Sequence, residues 1–146
     1  MLHIETVNPA DYMPDIRAML ADNWAETGFD FAFDPDVDAY QRMFDAGLVF
    51  ALAAYHDDFM VGYCTVTVVP HPYNKSVVIA SNDALFVHSA VRNGLTSGRL
   101  MKAAEAEAKR RGAHKFTWHC RAGTPLAEML VSHGYEPVDV VVARSL

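Results

Sequence analysis

Apolar and polar positions alternate every second residue in some stretches and every third or fourth in others, and the switches between these periods lay out the chain. Residues 2–7 (LHIETV) read as a short strand. Pro14 stands where a first helical turn tolerates it, and Ile16, Leu20 and Trp24 recur at every fourth position until Gly28, which predicts a first helix. A loop with Phe29, Phe31 and Phe33 leads to Asp34-Pro35, an expected N-cap and first-turn proline. They open a second helix that runs to Gly47, with Val37, Tyr40, Met43 and Phe44 on its inner face. Two strand-like runs, 48–55 and 59–69, flank His56-Asp57-Asp58, which reads as a hairpin turn. Pro70, Pro72 and Asn74 predict an irregular excursion before a strand that closes on residues 83–89 (DALFVHS).

Beyond Val87 the pattern is strand, Gly-containing loop, helix. Leu100, Ala104 and Ala108 appear at spacing four, and Glu105 with Lys109 and Glu107 with Arg111 stand in the favourable Glu-before-cation order. Gly112 sits where a C-terminal cap belongs. Residues 114–120 (HKFTWHC) read as a fifth strand, Thr124-Pro125 opens a last helix through Met129 and Leu130 to Gly134, and residues 138–146 (VDVVVARSL) are expected to supply the final strand. No repeat, low-complexity tract or linker interrupts the chain, so a single domain over residues 1–146 is expected.

Composition narrows the function. Of 146 residues, 51% are hydrophobic and 21% charged, the balance of an ordinary globular chain. No apolar run approaches the roughly 18 residues of a membrane helix, and the first residues lack a basic flank followed by an apolar stretch. A cytoplasmic location without membrane contact is expected, and Cys64 and Cys120, which form no paired framework, agree with a reducing compartment. The charge is divided unevenly: 13 acidic against 3 basic residues over 1–87, 2 against 8 over 88–121, and 3 against 1 over 122–146. A basic segment suits an anionic ligand, and an acidic first part attracts cations, although two solvated faces give the same pattern. The net charge of −6 argues against a nucleic-acid binder. The seven histidines form no ligand spacing with carboxylate support, so no metal site is expected.

The first turn of the helix at Thr96, Ser97 and Gly98 exposes backbone N–H groups without partners inside the helix, and such a terminus attracts phosphate through geometry and the macrodipole. Arg92 and Arg99 add positive charge on either side. A dinucleotide fold places a diphosphate similarly, but RNGLTSG lacks the G-x-G-x-x-G spacing, and the position about 20 residues past Gly94 is His114 rather than an acid.

The segment LFVHSAVRNGLTSGRLM resembles the cofactor loop of the GNAT N-acetyltransferase superfamily, with Arg92 in the leading Gln/Arg place and Leu95 and Ser97 where two small residues usually stand. The order of elements and the HGYEP ending also resemble that family. The resemblance implies an α/β (α+β) fold: a mixed, mostly antiparallel central sheet flanked by about four helices, with strands 4 and 5 splayed. It implies acetyl-CoA as co-substrate, held by Phe86, Val87 and His88 of the strand and by Arg92, Asn93, Gly94, Leu95, Thr96, Ser97, Gly98 and Arg99 of the loop and helix start.

Direct transfer to an amine requires three things. The amine must lose its proton. Asp83, expected to share a face with Leu85, is the leading base, and His119 is the alternative; a turn aspartate and a structural histidine account for the same residues. The resemblance assigns the developing oxyanion to the N–H of Val87 or His88. It also implies a tyrosine acid where this chain has Leu130, leaving water, Cys120 or Tyr135 to protonate the thiolate. Phenylalanines 29, 31 and 33 among Asp30, Asp34, Asp36 and Asp38 suit an acidic, aromatic mouth for a cationic amine on a small molecule or a protein, and equally suit plain packing. A GNAT-like binding module without strong activity is the alternative function. A homodimer is left open.

Overall fold

Strand β2, Val49–His56, is apolar at every position up to Tyr55 because it is buried on both sides, with helices above and below and strands to left and right. The computed structural model describes residues 1–21, 28–92 and 95–146. Around β2 a five-stranded sheet is ordered as in the sequence: β1 (Leu2–Val7), β2, β3 (Phe59–His71), β4 (Asn74–Val87) and β5 (Lys115–Thr117). The first four strands are antiparallel, whereas β5 runs parallel to β4 and is reached by a crossover through a helix.

Among the described residues, four α-helices accompany the sheet: α1 (Met13–Ala21), α2 (Val37–Asp45), α3 (Thr96–Arg110) and α4 (Pro125–Ser132). On one face, Leu100, Ala104 and Ala108 of α3 pack on Phe50, Leu52, Cys64, Val66, Ala80 and Val87. On the other, Met13, Ile16, Met19 and Leu20 of α1 gather around Tyr63, with Phe33, Tyr40, Ala84 and Phe86 alongside. Glu107 takes both Arg110 (2.5 Å) and Arg111 (2.8 Å), while the other expected partner, Glu105, binds Trp118 and Tyr135 instead of Lys109. Gly112, at φ 92, ends α3 as expected.

Several expectations change. The α2 cap is Asp36, whose carboxylate accepts the Ala39 N–H at 2.9 Å, rather than Asp34, and Val37 is 40% exposed instead of facing inward. The β2–β3 turn is only Asp57-Asp58, with Asp57 in the left-handed region at φ 55. The prolines do not create an excursion: His71 pairs with Asn74, so Pro72-Tyr73 closes a tight hairpin, and Pro70 sits beside a bulge, where its missing N–H costs little. The expected strand over 138–146 does not form in the chain. The predicted continuation of α1 through Trp24 lies outside the described residues.

Burial opposes ionisation of Glu107, but the two arginines outweigh it and hold the carboxyl down from the usual 4.5 to about 2. A depressed carboxyl contributes stability above its ordinary pKa and loses it as pH falls toward its folded value. Glu107→Gln is therefore expected to lower the thermal midpoint by about 1–3 °C at pH 7, as a part-exposed ion pair does. In melts between pH 5 and pH 2 the difference from the unaltered chain should shrink, and a constant difference would assign the pair no electrostatic role.

Candidate active site

Strands β4 and β5 pair for only three residues, Ile79–Lys115, Ala80–Phe116 and Ser81–Thr117. At the next position a side chain takes over from the backbone. The His119 N–H donates to Asn82 Oδ1 at 2.6 Å, and Asn82 Nδ2 donates to the His119 carbonyl at 3.2 Å. Interposing a carboxamide moves the two backbones apart, and residues 83–87 of β4 have no partner in β5. Asn82 is 8% exposed with both polar atoms satisfied, the condition for burying an amide at the vertex of a cleft.

Asp83 follows immediately. Thr65 faces Ala84 and Val66 faces Asn82, so Asp83 is the extra residue of a β-bulge. The bulge re-aims the strand: Asp83 accepts a 2.5 Å hydrogen bond from the Tyr40 hydroxyl on the α1/α2 face, whereas Leu85 packs with α3 on the opposite face. The expectation that Asp83 and Leu85 share a face fails because the inserted residue shifts the alternation by one. Burial, reinforced by the hydrogen bond to Asp83, pushes the Tyr40 hydroxyl far above its ordinary pKa, and burial with the nearby Asp83 charge does the same to Tyr63, so both stay protonated near neutral pH. Asp83 itself is exposed on its strand. His119 is also exposed, across the vertex from Asp83, with its backbone fixed by Asn82.

Further along β4 the donors separate. The His88 N–H is spent on the Val61 carbonyl of β3 at 2.7 Å. Strand alternation then turns the Val87 N–H and carbonyl away from β3, toward the space that β5 has left. Arg92 Nε donates to that Val87 carbonyl at 2.8 Å, and its guanidinium lies 5.6 Å from the centre of the Phe86 ring. Phe86, Val87, His88 and Arg92 are thus assembled at one edge of the cleft, although His88 contributes no free amide.

The N-terminus of α3 adjoins this edge. Leu95, at the cap position, is 82% exposed and offers no side-chain acceptor. The first intrahelical bond there is Arg99 N–H to Leu95 carbonyl, and among the described residues no acceptor reaches the N–H groups of Thr96, Ser97 and Gly98. A Cβ built on Gly98 would meet nothing within 4 Å, so open space lies over the first turn. Thr96 is buried in the turn, while Arg99 is exposed and lines, with Val91 and Leu95, a hollow of about 370 Å³ whose other wall is Leu2 and His56 of β1 and β2 rather than β4 or β5. These groups fit a diphosphate: unpaired donors, room, and adjacent positive charge. Asn93 and Gly94 lie outside the described residues.

No acid stands at the place of the implied tyrosine, because Leu130 is 6% exposed and packed. Of the substitutes, the Tyr135 hydroxyl donates to Glu105, which pushes it up to about 12, and the Cys120 thiol, raised by burial, donates to the Trp118 carbonyl at 3.8 Å.

The Phe29 and Phe31 rings stack at 4.8 Å and are 51% and 60% exposed, whereas Phe33 turns inward beneath the Arg17 guanidinium. Gly28, at φ 69, lies under Arg121, whose guanidinium also approaches the Phe29 ring. Arg121, which the sequence does not single out, thereby joins Gly28 and Phe29 to the chain just beyond β5.

The chain matches solved structures over nearly its full length. An aminoglycoside acetyltransferase from an uncultured soil metagenomic sample, in complex with trehalose, is 16% identical with a TM-score of 0.78, covering 99% of this chain and 96% of its own. A predicted acetyltransferase with acetyl-CoA from Clostridium acetobutylicum is 12% identical with a TM-score of 0.77 and the same coverage. A ribosomal-protein-alanine N-acetyltransferase from Brucella melitensis biovar Abortus 2308 is 16% identical with a TM-score of 0.70, covering 100% and 99%. At these identities the likeness speaks for the fold. A search of curated proteins returns no match. The Acetyltransferase (GNAT) family model matches residues 15–135, which with the splayed strands and uncapped helix places the chain in that family: it is a GNAT acetyltransferase that takes its acetyl group from acetyl-CoA.

Proposed function

We propose that the chain transfers acetyl to a primary amine by direct attack, with Asp83 as the base that removes the amine proton. The observation that carries this is the bulge, which presents a carboxylate at the cleft vertex while Tyr40 fixes one of its oxygens. A protonated alkylamine, with a pKa of about 10, has no lone pair, so a carboxylate positioned beside the cleft removes the first barrier, directly or through one water. Acetyl-CoA supplies an activated thioester carbonyl. Val87 N–H, turned into the opening, donates to the oxygen on which charge develops. Thr96, Ser97 and Gly98 amides with Arg92 and Arg99 hold the diphosphate. His119 faces the same cleft as a second proton acceptor. A thiol with a pKa of about 8.5 departs readily as thiolate near neutral pH, so the packed Leu130 does not obstruct transfer.

The acidic residues before β4 and the exposed Phe29–Phe31 stack favour a cationic acceptor, a small-molecule or protein amine, whose ammonium is drawn in by charge and by the ring faces. Cys64, buried with its thiol pushed up to about 12, and Cys120 are both unpaired, which supports a reducing, cytoplasmic setting; among the described residues no helix is long and apolar enough to cross a membrane.

Acetyl-CoA at 100 times its dissociation constant is expected to stabilise folding by about 2.7 kcal/mol in thermal-shift measurements. Asp83→Asn should keep that shift yet lower kcat/KM toward amines about 10²–10⁴-fold in a free-thiol release assay, and undiminished turnover would dismiss Asp83 as base. Asn82→Ala leaves the His119 N–H and carbonyl unpaired, which is expected to cost about 1–3 kcal/mol in denaturant unfolding and to weaken acetyl-CoA binding together with it. Unchanged binding in that variant would show that the cleft does not depend on the Asn82 rung.

A further inference from the structure

Tyr63 is a buried tyrosine whose hydroxyl the fold does not use. It stands on β3 with 3% of its surface exposed, its ring among Met13, Ile16, Met19 and Leu20 of α1 and 6.2 Å from the ring of Phe86. Such packing explains the ring; it does not explain the oxygen, which costs free energy to bury without a partner. Among the described residues the Tyr63 hydroxyl makes no hydrogen bond, although its neighbour Tyr40 donates one to Asp83. No fully buried side-chain oxygen or nitrogen among the described residues lacks a partner, so the Tyr63 oxygen is the part of this residue that reaches open space.

Its place along the sheet gives that oxygen a use. Tyr63 faces Phe86 across the β3–β4 ladder, with the Thr65–Ala84 pair to one side and the Gly62–Val87 pair to the other. It therefore lies over the interval between Asp83 and Val87, roughly 13 Å of strand. On this face β4 presents only the Ala84 methyl between Asp83 and Phe86, and Ala84 and Phe86 are both partly exposed, so there is room beside the hydroxyl. Asp83 is near enough for its charge to act on Tyr63, and Tyr40 engages a single Asp83 oxygen. We infer that the Tyr63 hydroxyl is a second contact for the acceptor: its oxygen accepts an N–H of the primary amine whose proton Asp83 removes, and it holds the nitrogen between that carboxylate and the thioester carbonyl at Val87. This rests on the reading of Asp83 as the base. A primary ammonium carries three N–H groups, enough for both contacts. Two fixed acceptors set the direction of the nitrogen's lone pair, whereas one leaves it free to turn, and alignment on the carbonyl carbon is what makes the bound pair reactive. An acceptor that brings no N–H leaves the hydroxyl unpaired and is disfavoured for that reason.

Tyr63→Phe keeps the ring and deletes only the oxygen, which separates packing from chemistry. Its thermal midpoint is expected to hold or rise, because the hydroxyl gives the fold no hydrogen bond, and its thermal shift with acetyl-CoA should match that of the unaltered chain. In a thiol-release assay with a diamine, an aminoglycoside and a lysine peptide, kcat/KM toward the best of these acceptors should fall about 10–100-fold while the KM for acetyl-CoA is unchanged. Combined with Asp83→Asn, the two losses should be less than multiplicative, as for groups acting on one nitrogen. Undiminished turnover by Tyr63→Phe overturns the inference, as do losses that multiply in the double variant; a lowered midpoint or weakened acetyl-CoA binding in Tyr63→Phe also overturns it, by making the hydroxyl structural. Full turnover by Asp83→Asn removes the base and this inference together, whereas an impaired Asp83→Asn beside a fully active Tyr63→Phe removes this inference alone. If none of the three amines releases thiol, acetyl transfer to amines falls and the inference with it.

Discussion

Everything chemical in this protein depends on where β4 and β5 stop being neighbours. Three parallel pairs hold them, and then the Asn82 carboxamide takes the place of a backbone rung. A buried amide with both polar atoms satisfied is a stable way to end a ladder, whereas two strands that simply drifted apart would leave unpaired backbone groups at the dry base of the cleft. The opening exposes the Val87 amide, which would otherwise pair, and it does so beside a helix terminus whose own amides are free.

The two faces of the sheet divide the labour. The α3 face carries the uncapped helix start, where Leu100, Ala104 and Ala108 clamp the helix against the sheet so that its N-terminus stays at a set height beside Val87. The α1/α2 face carries Asp83, whose carboxylate accepts from the Tyr40 hydroxyl and whose charge is felt by Tyr63. The bulge lets one strand serve both, since one inserted residue turns Asp83 toward α2 while Leu85 and Val87 keep facing α3.

Much of the fold was legible in the sequence because it rests on local periodicity. The first four strands, the α3 helix with its Gly112 ending, and the Thr124-Pro125 helix start follow from spacing and turn chemistry that act within a few residues. The uncapped helix start was legible for the same reason: free amides at Thr96 to Gly98 are a property of any helix that begins there without a capping side chain. Less was legible where neighbours compete locally. Asp34 and Asp36 are equally good caps by type, and Asp36 prevails because its carboxylate reaches the Ala39 amide. Pro70 and Pro72 look like interruptions, yet a bulge and a two-residue turn absorb them.

The amino-acid order by itself determined the element sequence, the charge division and the identity of the polar groups available, because these arise from residue type and near-neighbour spacing. Only the tertiary structure decided that Asp83 faces Tyr40 rather than Leu85's side, that His88 is spent on Val61 while Val87 is left open, and that Tyr135 is bound to Glu105. It also decided that the valine-rich segment, a strand by pattern, is left unpaired in its own chain. Each of these turns on a partner tens of residues away: a hydrogen bond needs two groups brought together, and local pattern names only one of them.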